Sequence, residues 1–452
     1  MRKKSLILSF LMLSALTMGA DCISGSWHGR LMAGMDALTV VINIEGNTCT
    51  MDSPDQGAFG IPAQLKKCTT DSLELEIPQM AVVFTGVKSG DGIKGSFVQQ
   101  GYAMPLDLKP GKPVYNRPQT PVAPFPYSTE EVSFTNTADG AVLSGTLTYP
   151  EGYVKGITPV VLLVSGSGLQ NRDEELFEHR PFAVIAHHLA LHGIASLRYD
   201  DRSVGKSTGD VTSATTATFA ADAAAGLQFL RHMGAFGRVG LLGHSEGGVI
   251  AFTLAGEGKT DFIVSLAGCA VRGDRVLVEQ NRLILPTQGI PEKIAQDYCN
   301  VLERAYIHKI AFASLAGANA TMIVGMAMAE AKVESLPEQL RQNLVNLVSS
   351  DNAWMNYFIS YNPADAIRRI KCHVMAVNGT NDLQVLHTTN LDTLRHLLPV
   401  KPGDVIKEYE GLNHLFQHCT TGATTEYIKI EETISPEVLD DIVKFVKHAT
   451  AQ

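Results

Sequence analysis

The sequence predicts an α/β protein: a doubly wound, mostly parallel sheet with an inserted helical cap, preceded by a small all-β domain. Three observations predict it. Apolar residues alternate with polar ones in the first hundred positions. Continuous apolar strands alternate with helical stretches from about residue 158. Roughly a hundred residues without strand signals then interrupt that alternation, far beyond ordinary loop lengths. At 452 residues the chain suggests more than one unit. Its 45% hydrophobic and 18% charged residues suit buried cores, and a net charge of -9 without a Lys/Arg cluster leaves no footprint for nucleic acid.

Residues 1–20 read as a secretory signal, with charged Arg2-Lys3-Lys4, an apolar run from Leu6 to Leu16 and the small exit Gly19-Ala20. The run is too short to span a bilayer. The protein is therefore expected to be exported, periplasmic or secreted, without membrane insertion once the signal is gone. Cys22 invites a lipoprotein reading, which Asp21 disfavours, because a small residue belongs before a lipidated cysteine. The seven cysteines show no CxxC spacing, so no metal site is expected. Cys49 and Cys68 are the best candidates for a disulfide, since both lie near strand ends in one small domain.

Residues 21–108 form the expected all-β domain. Leu38, Val40, Ile42 and Ile44 alternate with Thr39, Val41, Asn43 and Glu45, and Leu73-Glu74-Leu75-Glu76-Ile77 repeats the period of two. Ser89-Gly90-Asp91-Gly92 is a turn, and Trp27 is placed to plug a small barrel or sandwich. This domain carries no catalytic cluster and reads as a packing, dimerisation or substrate-edge module, with homodimerisation as one option. Prolines 110, 113, 118, 121, 124 and 126 mark a stiff linker over 109–128.

The main domain covers 129–270 and 359–452. A hairpin turns at Asp139-Gly140. Strands are expected at Val160 to Val164, Ile194 to Tyr199, Val239 to Leu242, Phe262 to Leu266, Val374 to Val377 and Val405 to Tyr409. Helices are expected at Ala183 to His192, Phe219 to Met233 and Pro436 to His448. Residues 271–358 form the cap, with apolar-periodic stretches at Ile294 to Ala313 and Leu340 to Leu347.

Gly243-His244-Ser245-Glu246-Gly247 matches G-x-S-x-G between an apolar strand and a helix start. Small residues are needed there because the chain reverses sharply, holding the Ser in a strained conformation with its hydroxyl exposed. A hydroxyl is a weak nucleophile until a base takes its proton. His414, after a late strand, is the expected base, with His418 as its nearest rival; His244 should point away from the hydroxyl and pack under the turn. Asp382, in Asn378-Gly379-Thr380-Asn381-Asp382, is expected to orient the base, ahead of Asp404 and Asp365. The order Ser, Asp, His fits this strand arrangement. The oxyanion donors are expected to be the N–H groups of Glu246 and, from the Ser165-Gly166-Ser167-Gly168 loop, Ser167. Tyr199 to Ser207 resembles a phosphate loop only superficially and reads as a charged turn, which Asn171-Arg172-Asp173 could brace.

As a set, Ser-Gly-Ser-Gly, Arg172-Asp173, Arg198 to Arg202, Gly205-Lys206-Ser207, Gly-His-Ser-Glu-Gly, Gly379 to Asp382 and Gly411 to Phe416 resemble the EstD-type bacterial esterases of the α/β-hydrolase superfamily, over roughly residues 130 to 450. The resemblance implies a Ser-Asp-His carboxylesterase preferring short acyl chains, with a helical cap and an N-terminal β domain, acting on small-molecule esters without a cofactor. Ser203 stands where such enzymes usually carry Gly, which puts the shape of that turn in question. A serine exopeptidase of the same superfamily is the first alternative; it would need a cap carboxylate such as Glu279 or Glu330 to hold a substrate amine. A non-catalytic binding protein on a hydrolase scaffold is the alternative from another class.

Overall fold

A computed structural model describes residues 22–33, 36–54, 58–99, 101–312 and 319–451. The expected signal over 1–20, and Asp21, lie outside the described residues. The chain divides into two compact units, Met1–Tyr115 and Asn116–Gln452.

Among the described residues of the first unit are strands β1 (Gly25–Ala33), β2 (Asp36–Glu45), β3 (Thr48–Ser53), β4 (Ala58–Cys68), β5 (Ser72–Ile77), β6 (Val82–Ser89), β7 (Gly92–Gln99), β8 (Tyr102–Pro105) and β9 (Lys109–Pro110). They form one sheet in the order β8-β7-β6-β5-β4-β3-β2-β1-β9. Its pairings are antiparallel, and a bridge between Ile93 and Leu108 draws the sheet's far ends together. The alternation in β5 is expressed directly: Leu73, Leu75 and Ile77 are buried while Ser72, Glu74 and Glu76 are half-exposed. Burying each of those three stabilises by roughly 1.5–3 kcal/mol. Trp27 is buried in the same core.

The disulfide expectation is corrected. Cys68 is bonded to Cys22, not to Cys49, which is a buried free thiol. The register explains this. Cys49 pairs across the ladder with Ile44 on one side and Ala63 on the other, whereas Ile23 donates its N–H to the Thr69 carbonyl, bringing position 22 beside 68. The end of the strand region also differs, since Lys109–Pro110 still pairs with β1, two residues into the expected linker. Further along it, Arg117 and Gln119 donate to the carbonyls of Ile430 and Ile434 at 2.8 Å each, so the part of the proline-rich stretch from Asn116 onward is integral to the second unit.

The second unit is built on an eight-stranded mixed sheet of described residues, β10 (Ser128–Thr135), β11 (Val142–Tyr149), β12 (Val160–Val164), β13 (Ala195–Tyr199), β14 (Val239–His244), β15 (Phe262–Leu266), β16 (His373–Gly379) and β17 (Val405–Tyr409). Its order is β10-β11-β13-β12-β14-β15-β16-β17, antiparallel at the β10-β11-β13 edge and parallel from β13 to β17. Helices α1 (Pro181–Leu191), α2 (Thr216–His232) and α3 (Glu246–Gly256) alternate with the strands. Helices α4 (Gly273–Thr287), α5 (Glu292–Ala311), α6 (Ala320–Ala331), α7 (Glu338–Ser349), α8 (Ala353–Ser360) and α9 (Ala364–Arg368) lie between β15 and β16; α10 (His387–Leu397), α11 (Thr424–Tyr427) and α12 (Pro436–Thr450) complete the chain.

The continuous apolar strands are explained by burial on both faces. Val160, Leu162 and Val164 of β12 point into a core with α2, α3 and α10, while Val161 and Leu163 point into a second core with α1 and α12. The residues between β15 and β16 have an apolar core of their own around Tyr298, Leu302 and Tyr306.

Candidate active site

Strand β12 lies between β13 and β14, so the chain leaves it to one side and returns on the other. Such a switch point opens a crevice at the carboxyl ends of the strands. The loops after β12, β14, β16 and β17 all emerge there. Ser245 follows β14 with φ 55° and ψ -116° and opens α3. A side chain at Gly243 would collide with the Gly247 carbonyl, and one at Gly247 with the Val164 carbonyl. The glycine flanks are what allow this strained serine to exist.

Asp382 and His414 are brought together after β16 and β17. The His414 Nδ1 lies 2.7 Å from Asp382 Oδ2, and Asp382 Oδ1 accepts the N–H groups of Gln384 and Val385 at 2.8 and 2.9 Å. Both residues are buried, so the bond is shielded from solvent competition. A carboxylate oxygen accepts hydrogen bonds, so this contact pairs the acceptor Asp382 Oδ2 with the Nδ1 side of the His414 ring. Ser245 and His414 line the same cavity, of about 350 Å³. No hydrogen bond joins the Ser245 hydroxyl to the His414 ring among the described residues. The rivals lie elsewhere: exposed His418 bonds Glu432, Asp404 bonds His373, and Asp365 pairs with Arg368 on the surface.

Gly166 and Ser167 also line that cavity, and a side chain at Gly166 would come within 3.1 Å of the Ser245 Cβ. The Gly166 N–H is engaged by Glu174 Oε1 at 2.7 Å. The Ser167 hydroxyl donates to Glu246 Oε2 at 2.8 Å. That buried carboxylate also accepts from Thr216 Oγ1 at 2.6 Å and from Trp354 Nε1 at 2.9 and 3.0 Å. Nothing in the sequence pattern announced these side-chain links. They join Glu246, the residue after Ser245, to the first loop and to α8.

His244 is buried beside the turn, and its ring carries polar contacts that the sequence did not announce. Its ring is hydrogen-bonded at both nitrogens, Nδ1 to Glu174 Oε1 and Nε2 to the His414 carbonyl, each at 2.9 Å. The charged turn after β13 is braced as its composition suggests. Arg172 grips Asp200 at 2.8 Å, Arg198 pairs with Asp173, and Arg202 donates two buried hydrogen bonds to Asp222 at 2.7 and 2.8 Å. Asp201 accepts the Gln170 N–H at 2.9 Å and the Ser165 hydroxyl at 3.2 Å. Burial pushes its carboxyl up to about 7, against the pull of those bonds. Ser203 has φ 62° and donates its hydroxyl to the Gly209 carbonyl at 2.6 Å, so the turn keeps a left-handed residue without glycine.

Stacked Trp354 and Phe358, with centroids 5.2 Å apart, wall the cavity from α8, and Val276, Leu277 and Gln280 from α4. Glu279 faces a different cavity, and Glu330 bonds His308 at 3.0 Å.

The sequence profile of a family described as X-Pro dipeptidyl-peptidase (S15 family) matches residues 139–419. The chain is similar to esterase EstD of Thermotoga maritima, 30% identical over 162 residues, covering 36% of this chain. The aligned stretch spans 38% of that relative's length. Among solved structures, an esterase of Pyrococcus furiosus superposes with a TM-score of 0.43 at 16% identity, covering 75% of this chain and 100% of that one. The ferulic-acid-bound Est1E of Butyrivibrio proteoclasticus gives 0.42 at 14% identity, covering 71% of this chain and 100% of that one.

Proposed function

We propose that this chain, which belongs to the X-Pro dipeptidyl-peptidase (S15) family, is a serine hydrolase of the α/β-hydrolase type that cleaves small carboxylic esters with a Ser245-His414-Asp382 triad. The observation that carries the reading is the Asp382–His414 bond on the cavity that holds strained Ser245. The helices between β15 and β16 act as the cap, since α4 and α8 wall that cavity.

The proposed reaction is a two-step acyl transfer. His414 Nε2 takes the Ser245 proton as the oxygen attacks the ester carbonyl, and the Glu246 and Ser167 N–H groups receive the oxyanion. The carbon–alkoxide bond breaks, and His414 returns the proton to the departing alcohol. Water, deprotonated by His414, then attacks the acyl-enzyme, releasing the acid and the Ser245 hydroxyl. The Ser245–His414 contact forms as substrate closes the site, in the way catalytic hydrogen bonds tighten on binding.

An ester is preferred to a peptide with a free amino end for a specific reason. A buried ammonium needs an unpaired carboxylate. Glu174, the acidic residue lining the cavity, is already engaged by His244 and Gly166. Glu279 and Glu330 are placed elsewhere. We further place the protein outside the cytoplasm, a reading supported by the Cys22–Cys68 disulfide.

Ser245→Ala should abolish p-nitrophenyl acetate hydrolysis and fluorophosphonate labelling while leaving the circular dichroism spectrum unchanged. Comparable turnover by the variant, or faster cleavage of aminoacyl anilides than of esters by the unsubstituted protein, would sink the assignment.

A further inference from the structure

We infer that His244 and Glu174 form a buried imidazolium–carboxylate pair that positions both the base loop and the oxyanion loop around Ser245. The inference rests on the serine-hydrolase reading. The residue before the nucleophile is therefore a positioning residue and not mere packing.

The argument begins with proton counting at one ring. A neutral imidazole carries one N–H and one lone pair. His244 Nδ1 faces a carboxylate oxygen at 2.9 Å and Nε2 faces a peptide carbonyl oxygen at 2.9 Å. Both partners are acceptors. A neutral ring satisfies one of them and sets its lone pair against the other, a costly arrangement for a side chain this buried. With both nitrogens protonated, both contacts become donor-to-acceptor bonds, and the Glu174 carboxylate supplies the compensating charge. Glu174 Oε1 also accepts the Gly166 N–H at 2.7 Å, so this oxygen is an acceptor toward the backbone as well.

The surroundings agree. The charged and titratable groups facing the ring are Glu174 from the loop after β12, His414 after β17, with ring centroids 4.7 Å apart, and Asp382 behind it. Burial opposes charging, yet Glu174 and the His414 carbonyl outweigh it and hold the His244 pKa above the ordinary histidine value. Glu174 adopts φ 51°, an unfavourable conformation for a residue with a side chain, so tertiary contacts hold it there.

The consequence is geometric. One side of the pair grips the peptide of His414, whose ring is the proposed base. The other grips Gly166, which abuts Ser245 and precedes Ser167, the proposed oxyanion donor. Three loops that meet at the reacting carbon are tied through one ion pair. A glutamine at 174 has no single atom that can both accept from Gly166 and receive the lone pair of a neutral His244. One of the two ties must loosen.

The test uses the full-length mature protein labelled with 15N-histidine, the His244 signals being assigned by their loss in His244→Gln. At pH 7 the ring should show two protonated nitrogens. In Glu174→Gln it should show one, with kcat for p-nitrophenyl acetate at least tenfold lower and KM within about threefold of the unsubstituted value. A singly protonated His244 in the unsubstituted protein, which would place the proton on Glu174, overturns the inference, as does an unchanged kcat in Glu174→Gln. If that variant does not fold, the spectrum of the unsubstituted protein decides alone. Absence of any ester turnover would count against the proposed function and leave the spectrum to judge this pair.

Discussion

Ser203 shows how a single position can break a local preference without breaking the turn. Its φ of 62° lies in the left-handed region, which costs a residue with a Cβ about 1–2 kcal/mol. Its hydroxyl bond to Gly209 returns roughly 0.5–1.5 kcal/mol, and glycine would add freedom to the unfolded chain. These terms nearly cancel, so Ser203→Gly should unfold within about 1 kcal/mol of the parent and keep its activity. Ser203→Val lacks the bond and is β-branched, and should lose about 2 kcal/mol in urea titrations, with kcat intact. A large activity loss in Ser203→Gly would contradict this. At the same scale, the strained turn at Ser245 and its flanking glycines were legible in the sequence because such a turn demands those residue types. Glu174 was not, because it meets His244 only when residues 70 apart in the chain are folded together. The pairing of Cys22 with Cys68 was missed for a like reason: it depends on register, which cysteine spacing does not report.

Elements buried on both faces of a sheet advertise themselves. The strands Val160–Val164, Phe262–Leu266 and Val405–Tyr409 match their expected bounds, and α5 and α7 fall within a residue or two of the apolar-periodic stretches. Other elements carry weak patterns. Helix α10 buries only Asn390, Leu391 and Leu394, and β4 holds Pro62 and a left-handed Gly60, with a register shift where it meets β3. Helix α8 is eight residues long, too short for a periodic signal, yet it carries Trp354 to Glu246. Trp354→Phe keeps an aromatic ring against Phe358 but removes that N–H from a buried carboxylate. It should destabilise by about 1–3 kcal/mol in thermal or urea unfolding. Trp354→Ala also removes part of the cavity wall and should shift the ratio of octanoate to acetate ester turnover upward. An unchanged chain-length profile would mean that α8 does not bound the acyl site.

At the scale of the molecule, two buried groups pull the pH dependence of stability in opposite directions. Asp201 is raised to about 7 by burial, so its folded form holds a proton that the unfolded chain releases near 4. That contribution is full below about pH 4 and is lost as pH rises through 7. His179 is lowered to about 4 by burial and then by Arg117, and it sits between the Tyr427 carbonyl and Thr433. The unfolded chain takes up a proton below about 6.5 that folded His179 refuses until about 4, so this contribution is lost as pH falls through that range. Each amounts to a few kcal/mol at most. They should offset one another between about pH 4 and 6.5, giving a flat profile in urea titrations. Asp201→Asn should expose a profile that climbs with pH, and His179→Gln one that declines. Slopes of the same sign in both variants would refute the assignment.

The sulfur of Cys22 has one valence to give. Joined to Cys68, it cannot also carry the thioether through which a diacylglycerol is attached to an exported protein. Cross-linking and lipid tethering are therefore mutually exclusive fates of a single atom. A molecule holding this bond lacks that tether at residue 22, which is fastened to its own β sheet instead.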